Sequence, residues 1–250
     1  MNWILLRGLT REARHWGAFS DYFSDQVGPP TALDLPGNGE FATGESPTRV
    51  AEMVEFARHQ LQLRGFKPPY SLLAMSLGGM VATDWAQRYP HEITELALLN
   101  TSMQPHSSLP HRLRPANWLA LALLAARWRD ADYAERTIHA LTCNQTASKQ
   151  SDIAAWLAIR KSAPVSEANA QRQLWAATRF RCAPTPPLCR TLLMSSAADQ
   201  LVHPVCSSEL SKAWSAVHQQ HSWAGHDLPH DDPQWVCEQL SDWLRAPGKH

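Results

Sequence analysis

The sequence predicts an α/β protein: a mostly parallel sheet of about six strands flanked by helices, with a block of helices inserted into it. Three observations predict this. Short apolar runs alternate with helical patterns over residues 1–103 of the 250-residue chain. The same alternation resumes near residue 190 and runs to the end. Between them, over residues 104–184, only helical patterns occur. Strand–helix alternation places helices on both faces of a parallel sheet, and a helical block between two such stretches reads as an insertion.

The elements follow in order. Trp3-Ile4-Leu5-Leu6 is a buried strand ending at Gly8. Thr31-Ala32-Leu33 is a second, closed by Pro36-Gly37-Asn38-Gly39. Val50, Met53, Val54, Ala57 and Leu61 recur at helical spacing, and Ser46-Pro47 is the expected start of that helix, with Ser capping and Pro in the first turn. Tyr70–Ala74 is a third strand. Leu77, Met80, Val81 and Trp85 mark one face of the next helix, which ends near Tyr89-Pro90. Leu96–Leu99 is a fourth strand, ending at Asn100-Thr101-Ser102. After the insertion come a strand at Arg190–Ser195, a helix within Leu201–Trp214 and a strand at Val217–Ser222. Val236, Leu240, Trp243 and Leu244 mark a closing helix with Pro233 near its start.

The insertion divides the chain into a core made of residues 1–103 and 185–250 and a helical cap of residues 104–184. Its helices are read at Trp118–Trp128, Ala131–Leu141, Ser151–Ile159 and Glu167–Thr178. The insertion holds 11 Lys/Arg against 5 Asp/Glu, a net +6, and the rest of the chain carries −6. Mutual attraction of the two pieces explains this most simply. An anionic ligand under a basic cap is the alternative.

Composition excludes several classes. With 44% hydrophobic and 18% charged residues, the chain is not mostly disordered. A formal charge of zero argues against a general nucleic-acid binder. The longest apolar stretch, Trp118–Ala126, is far short of the roughly 20 residues of a spanning helix, so no membrane anchor is expected. No secretory leader pattern opens the sequence. Five scattered cysteines form no CxxC pair, as for free thiols in a reducing cytosol, so a cytoplasmic location is expected.

The most informative stretch is Ala74-Met75-Ser76-Leu77-Gly78-Gly79, which follows a strand and opens a helix. Small-x-Ser-x-Gly-Gly in that context is a nucleophile elbow. The residues beside the serine must be small because strand and helix backbones approach closely there. The helix amino-terminus offers N–H groups and a positive dipole end to a developing oxyanion. Such a serine needs a base, and the base an orienting carboxylate. Leu192-Leu193-Met194-Ser195-Ser196-Ala197-Ala198-Asp199 places an acid after a late strand, and Gly225-His226 places a base after the last one. Gly225 is read as the residue that lets that loop turn sharply.

With these pieces in the order Ser76, Asp199, His226, the chain resembles the α/β-hydrolase superfamily, and within it small carboxylesterases similar to pimeloyl-[acyl-carrier protein] methyl ester esterase. Arg7-Gly8, Asp34-Leu35-Pro36-Gly37-Asn38-Gly39, Ala197–Pro204 and Gly225-His226-Asp227-Leu228-Pro229 carry the likeness alongside the elbow. The resemblance implies the α/β-hydrolase fold, with Ser76 as nucleophile, His226 as general base and then acid, and Asp199 fixing the His tautomer. It implies an oxyanion hole from the backbone N–H groups of Leu77 and Leu9. The sequence departs from the family in three places. Arg7 stands where the family has His, Asn38 stands where it usually has His, and the family's first two strands have no counterpart. Arg7 is then a ligand for a substrate carboxylate or, by default, half of a structural ion pair.

The expected reaction is cleavage of a carboxylic ester through an acyl-enzyme on Ser76 (EC 3.1.1). The same residues also serve thioesterases, lactonases and C–C hydrolases, and the fold also hosts non-catalytic ligand receptors. Ser at the elbow argues against relatives that place Asp there. The expected partner is a small-molecule ester. An acyl-carrier or coenzyme A thioester is the alternative, met through Arg112 and Arg114. Trp118, Leu121, Leu124, Trp156, Leu157 and Trp175 are candidates for an acyl pocket, against the plainer reading that most of them form the cap's own core. His218, His221, His226, His230, Asp231 and Asp232 crowd together but match no zinc spacing, so no metal is expected. No cofactor is implied: Gly37-Asn38-Gly39 lacks the third glycine of GxGxxG, and no GxxxxGK occurs.

Overall fold

The computed structural model describes residues 2–247. Six strands form one sheet: β1 (Trp3–Leu6), β2 (Thr31–Leu33), β3 (Tyr70–Met75), β4 (Ile93–Leu99), β5 (Arg190–Ser196) and β6 (Val217–His221). Their spatial order is β2-β1-β3-β4-β5-β6, and every pairing is parallel. All six were expected, and each lies within a few residues of its predicted place.

A parallel strand is buried on both faces, and its side chains alternate between them. Ile4, Leu6, Leu72, Ala74, Leu96 and Leu98 face one layer, with α2 (Val50–Leu63), α3 (Leu77–Arg88) and α9 (Val205–Trp214). Trp3, Leu5, Leu73, Met75, Ala97 and Leu99 face the other, with α1 (Phe19–Gln26) and α11 (Pro233–Arg245). Burial of these layers is the main driving force of the fold.

The inserted helices lie between β4 and β5: α4 (Leu109–Arg112), α5 (Trp118–Ala126), α6 (Ala131–Thr142), α7 (Lys149–Ser162) and α8 (Glu167–Arg179). A single parallel bridge between Gln104 and Arg181 closes the neck through which the chain leaves and re-enters. The short helix α10 (Leu228–Asp231) precedes α11. No helix among the described residues is long and apolar enough to cross a membrane.

Two local details differ from expectation. α2 starts at Val50, and Ser46 does not cap it. The Ser46 hydroxyl donates instead to the Pro36 carbonyl at 2.7 Å, and its amide donates to Asn169 at 2.9 Å. α9 runs Val205–Trp214, within the expected stretch. One Asp199 oxygen accepts the amides of Leu201 and Val202 at 2.8 and 2.9 Å, which holds the turn before it. α1 was not foreseen, because its buried face is only Phe19 and Phe23.

Candidate active site

Ser76 sits between β3 and α3 with φ +54° and ψ −117°. A non-glycine residue rarely adopts this backbone, which costs roughly 1–3 kcal/mol and persists only where the surroundings enforce it. The enforcement is visible. The Ser76 amide donates to Leu99 at 3.0 Å, and the Thr101 hydroxyl donates to the Ser76 carbonyl at 2.8 Å. The Ser76 side chain makes no helix cap. A Cβ on Gly78 would stand 2.5 Å from the Leu6 carbonyl oxygen and 2.6 Å from that of Arg7. That is why the residue two after the serine is glycine: α3 leaves the elbow against the backbone of β1.

Asp199 and His226 meet as the chain order suggests. His226 Nδ1 and Asp199 Oδ2 are 2.7 Å apart, and both residues are buried. The other Asp199 oxygen is held by the two turn amides described above. Ser76 and His226 line one cavity of about 120 Å3 together with Gly8, Leu9 and Asp227. The Ser76 hydroxyl has no hydrogen bond among the described residues. Catalytic contacts of this kind often tighten only when substrate binds. The Leu9 and Leu77 amides are likewise without a partner among the described residues. Both residues line a larger cavity of about 230 Å3 with Ser76.

Arg7 lines the smaller cavity too, but as half of an ion pair. Its guanidinium forms a bidentate pair with Asp227 at 3.0 and 2.6 Å, both side chains buried. Burial by itself would raise the Asp227 carboxyl, but the adjacent Arg7 charge holds it below its ordinary value. The pair links the residue before Gly8-Leu9 to the residue after His226. Asn38 is buried and held at both ends of its amide: the nitrogen donates to the Arg11 carbonyl at 3.0 Å and the oxygen accepts from Gln173 at 2.8 Å.

Two positioning residues escaped the sequence reading. Asn100, at φ +42°, donates to the carbonyls of His226 and Gly225 at 2.8 and 3.2 Å and accepts the Ser196 amide at 2.9 Å. It thereby ties the His226 loop to the end of β5. Gln173, fully buried on α8, accepts the Thr10 amide at 2.8 Å. Thr10 follows Leu9 and has φ +59°, so an inserted helix sets the shape of the Leu9 loop. A polar residue at a strand's carboxyl end was a usable signal for Asn100. Gln173 offered none, since its partner lies 163 residues away.

The inserted helices also line the larger cavity. Leu121, Leu124 and Leu174 do so, as does Arg112. Trp118 and Trp175 are exposed instead, and Trp156 is buried against His139 and His230. Leu157 lines a separate cavity between α7 and α8. Arg112 is buried and donates to the carbonyls of Ala177 and Thr178, and Arg114 donates to the Asp199 carbonyl at 2.7 Å. Neither pairs with a carboxylate among the described residues, and Arg112 lines the larger cavity. Gly225 is required by close approach rather than by a sharp turn: a Cβ there would stand 2.5 Å from the Thr142 carbonyl oxygen.

A model of the alpha/beta hydrolase family matches residues 3–239. The uncharacterised protein YbdG of Bacillus subtilis (strain 168) is 30% identical over 81 residues, 32% of this chain and 25% of that protein. The match therefore spans about a quarter of that relative's length. Among solved structures, a thermophilic esterase from Thermogutta terrifontis superposes with a TM-score of 0.74 at 19% identity, over 98% of this chain and 89% of its own. An enol-lactonase from Burkholderia xenovorans LB400 gives 0.77 at 16%, over 98% and 92%. At these identities the likeness is one of fold.

Proposed function

The chain belongs to the alpha/beta hydrolase family, and from that premise we propose that it is a serine hydrolase cleaving carboxylic esters. The observation that carries the reading is the short His226–Asp199 contact beside a serine held at an elbow in the same cavity. Ser76 Oγ attacks the ester carbonyl carbon while His226 Nε2 takes its proton. The carbonyl oxygen becomes an oxyanion between the Leu77 and Leu9 amides. The alcohol leaves with the proton returned by His226, and the acyl group stays on Ser76. Water then attacks the acyl carbon, His226 again accepts a proton, and the acid is released with Ser76 restored. Asp199 orients the imidazole and stabilises its charged form in both steps.

The inserted helices act as a cap whose Leu121, Leu124 and Leu174 receive an apolar acyl chain. The cavity suits a short to medium chain. Arg112 and Arg114 donate to main-chain carbonyls and keep their charge, so an acyl-carrier or coenzyme A thioester stays the alternative substrate. The pairing of Arg7 with Asp227 weakens the receptor reading, for which Arg7 is the one support. Five free cysteines fit a cytoplasmic setting.

The test is hydrolysis of p-nitrophenyl acetate, butyrate, octanoate and palmitate by the wild type and Ser76→Ala. The expected result is a maximum at butyrate or octanoate and a loss of at least about 10³-fold in Ser76→Ala. Activity that survives in Ser76→Ala overturns the assignment. A fluorophosphonate label on Ser76 without ester turnover keeps the nucleophile and transfers the reading to a lactone, thioester or C–C substrate.

A further inference from the structure

A second set of chemically capable side chains converges away from Ser76, at the seam between the inserted helices and the sheet. His139 and Cys143 stand one turn apart at the end of α6. His230 comes from α10 and Asp152 from the first turn of α7. Ring nitrogens of both histidines and the Cys143 thiol lie within 4.8 Å of one another. Asp152 Oδ2 is 3.4 Å from His139 Nε2 and 3.2 Å from His230 Nε2.

His139 and Cys143 are buried and His230 and Asp152 partly so, and polar groups taken from water need partners. Asp152 Oδ2 is in hydrogen-bond reach of both rings, while His139, Cys143 and His230 are the group whose ligand atoms lie close enough together to share one ion. Two nitrogens and a sulfur suit a borderline-soft divalent ion such as Zn2+, with a fourth position for solvent. The site is also braced. Ser148 donates to Asp152 Oδ2 at 2.8 Å, and Trp156 packs against the His139 and His230 rings at 5.3 and 5.5 Å. Arg11 lies over the Trp156 ring and is paired with Glu135 at 2.7 Å.

We propose that His139, Cys143 and His230 form a structural Zn2+-type site that fastens α6 to α10, with Asp152 of α7 hydrogen-bonded to both rings. Uptake replaces the thiol proton: one ion binds, one sulfur–metal bond forms and one proton leaves to solvent. This departs from the expectation of no metal, because the ligands come from two separated segments and follow no sequence motif. The consequence reaches His226. The Asp227 amide donates to Thr142 at 2.7 Å, and the amides of Asn144 and Gln145 donate to Asp231 at 2.9 Å each. An ion on Cys143 and His230 therefore holds the segment that frames the His226 loop.

The experiment uses the full chain, stripped with a chelator and titrated with Zn2+ or Co2+ alone. The expected result is one equivalent bound, a raised Tm, and a Co2+ form with tetrahedral d–d bands and a thiolate-to-Co2+ charge-transfer band. Cys143→Ser should lose the charge-transfer band, and His230→Gln should weaken Zn2+ binding at least about tenfold. Wild-type protein with no thiolate band and no Zn2+-dependent Tm shift overturns the proposal, whatever the variants do. So does binding that persists unchanged in both variants. Ser76→Ala should bind the ion as wild type does, so this test is independent of the hydrolase reading.

Discussion

The side chains that set the chemistry of Ser76 are mostly ones that never touch it. Asn100 is the clearest. One amide group joins the carbonyls of His226 and Gly225 to the end of β5, and its oxygen takes the Ser196 amide. Asn100→Ala leaves these buried groups unpaired, at a cost of about 1–3 kcal/mol. We expect a lower denaturation midpoint together with a fall in kcat of about tenfold, since His226 loses its brace. Equal kcat in the variant, measured under conditions where it is fully folded, refutes the positioning role. The Arg7–Asp227 pair is a second case. Removing one partner strands a charge, so Arg7 is held by the cost of its absence more than by a large net gain. Asp199 and His226 were legible in the sequence because each follows a predicted strand in the required order. The place of Asn100 at a strand end was legible, but its partners were not, because only the fold brings residues 100, 196 and 226 together.

At the scale of elements, the inserted helices do more than cover a cavity. Gln173 of α8 reaches across to the Thr10 amide and to Asn38 and Ser46, at 2.8, 2.8 and 2.9 Å. That network fixes the loop that presents the Leu9 amide. Gln173→Leu should lower kcat about tenfold on p-nitrophenyl butyrate while KM changes little, because an oxyanion donor acts mainly on the transition state. A rise in KM with kcat intact would mean that Gln173 shapes the acyl pocket instead. The insertion's helices were legible from periodicity over residues 118–178. Its docking was not, since hydrogen bonds across more than 100 residues leave no periodic trace.

For the molecule as a whole, the opposite net charges of the insertion and the rest suggest a simple attraction, but the contacts are mixed. Arg172 of the insertion pairs with Glu45 of the sheet half, whereas Arg11 of the sheet half pairs with Glu135 of the insertion. Buried histidines make stability depend on pH. Burial, with Arg11, Arg7 and Arg14 nearby, holds His15 well below its ordinary value, against a small raising effect from Glu12. The unfolded chain takes up a proton near pH 6.5, where the folded chain does not. Stability is therefore complete above that pH and falls as pH drops below it. His106, His203 and His218 shift in the same direction, burial being the first cause for each. We expect a lower Tm at pH 5 than at pH 7.5, and a shallower slope in His15→Gln. A Tm independent of pH across that range contradicts the neutral buried ring.

Local pattern alone determined the sheet, the elbow at Ser76 and the order of Asp199 and His226. Strand alternation, helical periodicity and the small residues around a strained serine are properties of short segments, and short segments carry their own signal. The tertiary structure decided what crosses between segments: that Arg7 neutralises Asp227, that Asn38 is anchored to Gln173, that Ser46 braces a turn instead of capping a helix, and that His139, Cys143, Asp152 and His230 share one place. The physical reason is the same for each. A buried polar group must find its partner wherever packing puts one, and packing is set by the apolar layers on the two faces of the sheet rather than by neighbours in the chain.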